Sequence, residues 1–193
     1  MQIITKDEFM LRAEEFFDKI KQGAVFIYPT DTIYGIGCNA SDEDAVNKIR
    51  ELKDRSEAPF SVIVPSISWI FKNCEIPDEA DEWLQKLPGP YTLVFKLKNK
   101  GCIAKAVTKK IDNLGVRQPK HWFTEAIEAL DIPIVTTSVN KKGQMFMTSV
   151  ENINSDIKNK VDFIIDEGEK KANPSNVIHL CGEEVKIRDR SKK

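Results

Sequence analysis

Apolar residues recur at two spacings along this chain, and the spacing separates helices from strands. Phe9, Ala13, Phe16, Phe17 and Ile20 fall mostly three or four residues apart, which gathers them on one face of a helix. Thr5-Lys6-Asp7-Glu8 before them has the form of a capping box, and Gly23 after them is a helix stop. Ala45, Ile49 and Leu52 repeat the stripe behind a second N-cap signal, Ser41-Asp42-Glu43-Asp44. Further helices are expected near 66–71, 78–87, 122–130 and 150–159. Unbroken apolar runs at 24–28, ended by Pro29, and at 60–64 read instead as buried strands. Tyr91, Leu93, Phe95 and Leu97 alternate with Thr92, Val94 and Lys96, which is the period of a strand. Short strands are expected near 115–118, 133–138, 162–166, 176–180 and 184–188. Strands interleaved with helices predict an α/β domain with one large, mixed sheet.

Length and composition narrow the class. At roughly 150 residues per domain, 193 residues predict a single domain over 1–193. A chain with 41% apolar and 31% charged residues has enough material for a folded core. Lys+Arg is 29 and Asp+Glu is 30, which excludes a whole-protein basic field for nucleic acid but not a local basic face. No stretch approaches the ~18 apolar residues of a membrane span, and the N-terminal segment has acids where a signal peptide is apolar. A cytoplasmic protein with no membrane partner is expected. Cys38, Cys74, Cys102 and Cys181 lie far apart with no C-x-x-C, which argues against a zinc site or a disulfide framework. His121 and His179 are the only histidines, so His-based catalysis is not expected.

Five segments could carry chemistry. Residues 29–40, PTDTIYGIGCNA, follow a buried strand and are dense in hydroxyls and small residues. Hydroxyls and exposed N–H groups suit a small polar ligand; the alternative is a plain connection rich in turn formers. The same run contains Gly35-x-Gly37-x-x-Ala40, a dinucleotide fingerprint in form. Six residues separate the strand from the first glycine, however, and the acid about 20 residues on, Asp54, stands between two cations. Lys53-Asp54-Arg55 in a loop could hold phosphates, Lys as a point charge and Arg as a fork, or could simply be solvated. No G-x-x-x-x-G-K-[ST] occurs. Arg117 lies in a short apolar strand, LGVRQP, where it needs either an anionic ligand or an internal carboxylate. Thr136-Thr137-Ser138-Val139-Asn140 ends a strand, where α/β sheets present ligand-binding residues. Pro174-Ser175-Asn176-Val177 and then Ile187-Arg188-Asp189-Arg190 complete the set.

In this order and spacing the segments resemble the YrdC-like family of threonylcarbamoyl-AMP synthases. PTDTIYGIGCNA is close to the family's opening motif. KDR resembles its K-x-R, LPGPYT its P-G-P-x-T, LGVRQP its G-x-R-x-P, TTSVNKKG its T-S-A-N-x-x-G, and PSNVIHL stands at its P-S-T-V segment. The resemblance runs from about Ile20 to Arg190. It implies a twisted mixed sheet flanked by helices around a concave basic cavity. It also implies an L-threonylcarbamoyladenylate synthase: L-threonine, bicarbonate and ATP give threonylcarbamoyl-adenylate and pyrophosphate, for the threonylcarbamoyladenosine modification of tRNA. Thr32, Arg117, Ser138 and Ser175 would then hold threonine. Lys53, Arg55, Asn113, Asn140, Thr148 and Arg188 would hold ATP, with Lys53 and Arg55 the catalytic pair at the phosphates. Mg²⁺ would arrive on the phosphates, with no dedicated protein metal site. The tRNA threonylcarbamoyltransferase machinery would take the product, and tRNA or double-stranded RNA is a further partner.

The chain departs from the family pattern in places. Pro59 directly follows Ala58, which leaves the K-x-R loop one residue short, and 60–64 lacks the His that some members carry. Ser138-Val139-Asn140 replaces S-A-N, Ser175-Asn176-Val177 replaces S-T-V, and no Gly follows Arg188 where R-x-G is usual. The first two departures also resemble the YciO-like branch, whose alternative reading is an RNA-binding protein. No appended C-terminal, acylphosphatase or zinc-finger region is expected.

Overall fold

Successive residues of a strand point to opposite faces of its sheet, and here both faces are buried over much of the sheet's width. The computed structural model describes residues 1–141, 145–182 and 184–190. Gly143, the last residue of the T-S-A-N-x-x-G match, lies outside them. Among the described residues the strands are β1 (Gln2–Thr5), β2 (Phe26–Tyr28), β3 (Gly35–Gly37), β4 (Ser61–Ile63), β5 (Cys74–Glu75), β6 (Tyr91–Leu97), β7 (Asn113–Arg117), β8 (Ile134–Ser138), β9 (Phe163–Asp166), β10 (Asn176–His179) and β11 (Lys186–Arg188). They form one sheet in the order β1-β9-β2-β3-β8-β4-β7-β6-β10-β11, with β5 pairing β6 off that path. Parallel pairs such as β4 with β7 stand beside antiparallel ones such as β6 with β7, so the sheet is mixed, as expected.

The helices are α1 (Lys6–Leu11), α2 (Ala13–Lys21), α3 (Glu43–Leu52), α4 (Ile67–Asn73), α5 (Asp81–Leu84), α6 (Lys105–Thr108), α7 (Trp122–Leu130) and α8 (Ser155–Lys158). The capping box forms at Thr5 and Glu8. The single helix expected over 9–20 is two, because Arg12 leaves helical geometry at φ −114°, ψ 29°. Gly23, at φ +87°, takes the left-handed conformation beyond α2. The helix expected over 78–87 shrinks to a 3₁₀ turn, Asp78–Ala80, and the one turn of α5. That expected over 150–159 shrinks to α8, since Asn154 caps only the last part of it. Three strands are additional to those expected: β1, β3 and β5.

Along β2, Phe26 and Tyr28 enter one core while Ile27 enters the other; β8 divides Ile134 from Val135 in the same way. The first core is a layer of rings beneath α1, α2 and α7. Tyr28 stacks on Phe123 with centroids 4.6 Å apart, and Phe26 on Phe163 at 4.9 Å. The second core, on the opposite face, packs against α3, α4 and α6 and continues across β7 and β6 through Leu114, Val116, Leu93 and Phe95. Helices α1, α2 and α7 cover only part of their own face. Beyond them, toward β7, β6 and β10, the strand positions facing that way are Gly115, Arg117, Thr92 and Val94. This uncovered half of a buried sheet is the floor of a cavity. Among the described residues no helix is long and apolar enough to cross a membrane.

Candidate functional site

The cavity holds about 930 Å³, within the range of small-ligand sites. Its floor follows from alternation. In β7, Leu114 and Val116 are core, so Asn113, Gly115 and Arg117 face the cavity. A Cβ on Gly115 would stand 2.4 Å from Ser61 Oγ and 3.1 Å from Thr92 Cγ2. The missing side chain is therefore filled from β4 and β6 rather than left open.

The segment 29–34 is the turn of a hairpin, with Tyr28 opposite Gly35 across β2 and β3. Thr30 Oγ1 donates to Ile33 O at 2.8 Å and accepts from Thr32 N at 3.1 Å, which fixes the turn. The glycines of the dinucleotide-like fingerprint lie in β3 and not at a helix N-terminus, so that reading fails. They are small because of their neighbours: a Cβ on Gly37 would stand 2.3 Å from Val135 O, and one on Gly35 would stand 3.0 Å from the Tyr28 ring.

Arg117 has the internal carboxylate that was one of its two alternatives. Its Nη2 donates to Asp31 Oδ1 at 2.5 Å and to Thr32 Oγ1 at 2.8 Å. Asp31 Oδ2 also accepts from Lys120 N at 3.0 Å. Arg117 Nε is buried without a partner. Burial, only partly offset by Asp31, holds the guanidinium below its ordinary range. It also lines the cavity.

The K-x-R loop leaves α3 at Lys53. Asp54 takes a left-handed φ of +50°, which Asp tolerates better than most residues. Lys53, 3% exposed, donates to the carbonyls of Ser138 and, at 2.6 Å, of Asn140. It thereby fixes the turn after β8, where Ser138 Oγ donates to Asn140 Oδ1. Burial, and secondly Arg55, push the Lys53 amine down to about 7. In the unfolded chain it titrates near its ordinary 10.5. Between those values only the unfolded chain keeps the proton, so this residue makes stability rise with pH. Urea midpoints of the wild type are expected to climb from pH 7.5 to 9.5 relative to those of Lys53→Met; parallel midpoints would contradict the burial of a titrating amine there.

Arg55 is pinned from two sides. Its Nη2 donates to Pro59 O at 2.6 Å and its Nη1 to Thr137 Oγ1 at 3.4 Å. Its carbon sits 5.1 Å from the Phe60 ring centroid, and Nε is buried without a partner. Behind it Arg50, buried in α3, holds the loop through the carbonyls of Arg55, Ser56 and Ala58. Neither Arg50 nor Asp31 was singled out from the sequence. The partners of Arg50 are backbone carbonyls, which leave no trace in a residue pattern.

Across the floor, Thr92 Oγ1 and Ser175 Oγ lie 2.8 Å apart, both buried. Gly89 N donates to Gln118 O at 2.8 Å, tying the P-G-P segment to the end of β7. Glu167, at the head of the segment leading to Ser175, pairs with His121 Nε2 and accepts from Trp122 Nε1, each at 2.8 Å, and from Lys170. Burial raises this carboxyl, but those donors outweigh it and hold it at about 2.

The expected threonine set, Thr32, Arg117, Ser138 and Ser175, lines the cavity, and so do Lys53, Arg55, Asn113, Asn140 and Arg188. Thr148 is not among the lining residues; its carbonyl accepts from Lys170 N at 2.7 Å. Among the described lining residues, six carry cationic side chains: Lys53, Arg55, Arg117, Lys141, Arg188 and Arg190. Only Asp54 and Glu57 carry carboxylates. No group of three or more His, Cys, Asp or Glu among the described residues could hold a metal ion. The lining suits a ligand that carries several negative charges as well as hydrogen-bonding groups.

Comparison with known proteins agrees in extent. The model of the Sua5, YciO and YrdC proteins, described as telomere recombination, matches residues 18–191. The chain is 34% identical over 179 residues to the threonylcarbamoyl-AMP synthase of Pyrococcus abyssi, covering 90% of this chain and 52% of that one. It is 35% identical over 175 residues to a Methanocaldococcus jannaschii relative, covering 89% of this chain and 82% of that one. The crystal structure of P. abyssi Sua5 complexed with L-threonine superposes with a TM-score of 0.85 at 30% identity, over 96% of this chain and 56% of that one. In both Pyrococcus abyssi matches the chain spans only about half the length of the relative.

Proposed function

The chain belongs to the Sua5, YciO and YrdC family, and from that premise we propose that it is a threonylcarbamoyl-AMP synthase. In the proposed reaction the amine of threonine and bicarbonate condense to an N-carboxylate with loss of water. A carboxylate oxygen then attacks the α-phosphorus of ATP, the bond to the β-phosphate oxygen breaks, and pyrophosphate leaves. Such a reaction needs no enzyme nucleophile. It needs reactants held in line and charge neutralised on the departing phosphates. The observation that carries the reading is one cavity whose lining combines the guanidiniums of Arg55, Arg117, Arg188 and Arg190 with the hydroxyls of Thr32, Ser138 and Ser175.

Arg55 and Arg188 take the phosphate chain in this proposal, with Asn113 and Asn140 beside it. Thr32, Ser138 and Ser175 take threonine, with Arg117 facing its carboxylate. Lys53 acts at one remove, by holding the turn that presents Ser138 and Asn140. Mg²⁺ comes as part of the ATP substrate: with two carboxylates in the lining, the phosphates themselves are its main ligands. The product passes to the machinery that modifies tRNA.

Pyrophosphate release from ATP tests the proposal. Release is expected only when threonine and bicarbonate are both present. Serine should support it less well than threonine, and valine least, since a site that hydrogen-bonds a hydroxyl leaves its own groups unpaired around an isostere without one. Release that needs neither threonine nor bicarbonate would overturn the reading.

A further inference from the structure

Where the family pattern has R-x-G, this chain has Arg188-Asp189-Arg190. The third position is a cation where the pattern has no side chain. Arg190 lies two residues beyond the end of β11 and lines the cavity together with Arg55, Arg117 and Arg188. Its backbone N–H donates to Asn176 Oδ1 at 3.0 Å, which fixes it against the start of β10, one residue from Ser175. Burial first, then Arg188 and Arg117, hold its guanidinium below the ordinary range. Arg190 in turn contributes to the lowering of Arg55. Arg190 therefore stands within electrostatic reach of the other three guanidiniums that line this cavity. Among the described residues only Arg117 of the four has an ion-pair partner, Asp31. No ion pair within 4 Å joins Arg55, Arg188 or Arg190 to another described residue. Cations that outnumber the carboxylates around them disfavour the folded state, and an anion that binds among them relieves that repulsion.

We infer that Arg190 is a ligand contact, which joins Arg55 and Arg188 in a subsite for the polyphosphate of ATP and for the pyrophosphate it releases. The inference rests on the synthase reading and adds a residue to it. Charge decides the ligand class. The carboxylate of threonine brings one negative charge, and the Arg117 that faces it is already matched by Asp31. Three unmatched guanidiniums call for a ligand with three or more negative charges, which among the proposed reactants only the phosphate chain supplies. The forked geometry of Arg suits phosphate oxygens in pairs. A glycine at this position would supply neither charge nor fork, so this chain should retain pyrophosphate more tightly than one with the usual pattern.

The test is calorimetric titration of inorganic pyrophosphate into the full chain, with Arg190→Gln and Arg190→Lys beside the wild type. The Arg190 side chain is half-buried and makes no hydrogen bond among the described residues, so Arg190→Lys should melt with the wild type and Arg190→Gln with it or above it. Arg190→Gln is expected to weaken pyrophosphate by about tenfold or more, with Arg190→Lys intermediate and threonine affinity unchanged. The affinity of the wild type should also fall more steeply with added salt than that of Arg190→Gln. Unchanged pyrophosphate affinity in Arg190→Gln would overturn the inference, as would a loss confined to threonine. The two readings separate cleanly. Pyrophosphate bound through Arg190 in a chain that forms no adenylate leaves the subsite standing and sinks the synthase; adenylate formation with pyrophosphate binding indifferent to Arg190 does the reverse.

Discussion

Replacing Arg55 with alanine is expected to lower threonine- and bicarbonate-dependent pyrophosphate release by on the order of a hundredfold or more, the usual effect of losing a preorganised contact to developing charge. The guanidinium is already oriented in the absence of ligand. Pro59 O and Thr137 Oγ1 hold its two ends, and the Phe60 ring lies against it. Its Nε is buried and has no hydrogen-bond partner. Burial first, and then Arg50 and Arg190, depress the group, so its charge is held in an environment that disfavours it until an anion arrives. These facts give the substitution two effects of opposite sign. Turnover should collapse, while the melting temperature should hold or rise, because a repelled and partly desolvated charge has gone. Arg55→Lys should keep the stability of the wild type and recover only part of the rate, since an ammonium cannot reproduce the fork. Turnover near the wild-type rate in Arg55→Ala, or a fall in melting temperature large enough to explain the lost rate, would make Arg55 a clamp on the 55–60 loop rather than a phosphate contact.

What was legible in the sequence follows from which signals are local. Alternation is local: it predicts that Leu114 and Val116 turn away from Gly115 and Arg117, and the structure divides core from cavity along that line. Capping is local as well, at Thr5 with Glu8. The expected helix over 150–159 failed because Val150 and Ile153 reach the core from irregular chain, so their burial does not require helical spacing. Residues 35–37 read in the sequence either as ligand-facing chain or as a plain connection; Gly35 does line the cavity, and the small residues there also make room for Tyr28 and for the carbonyl of Val135. A glycine that admits a ligand and one that admits a neighbouring strand are identical in sequence. Asp31 meets Arg117 across 86 positions of chain, and nothing in either segment names the other.

Arg50 shows the same limit with the larger energetic consequence. In sequence it is one more cation on a polar helix, in a window with Lys48 and Glu51. In the structure it is 4% exposed and carries five hydrogen bonds to carbonyl oxygens. Nε reaches Ala106 O at 2.7 Å, and Nη2 reaches Val107 O at 3.2 Å. Nη1 is shared among Arg55 O at 2.9 Å, Ala58 O at 3.1 Å and Ser56 O at 3.2 Å. The Phe60 ring centroid lies 4.4 Å from its carbon. One planar group thus joins α3, α6 and the K-x-R loop. Arg50→Met keeps the aliphatic stem but leaves all five carbonyls without this donor. Loops can turn some of them to water, so the expected loss is about 3–5 kcal/mol and not the full sum of five bonds. For a chain of this length that is a fall of roughly 10 °C in melting temperature. Arg50→Lys should fall between, since an ammonium can satisfy the α6 carbonyls or the loop carbonyls but cannot span both. The loop that positions Arg55 should loosen before the sheet does, so ATP affinity in Arg50→Lys is expected to drop at temperatures where its circular dichroism is still that of the wild type. A melting temperature for Arg50→Met within about 2 °C of the wild type, which corresponds to less than about 1 kcal/mol, would show that water replaces the guanidinium at little cost and that the loop is held by Phe60 and Pro59 alone.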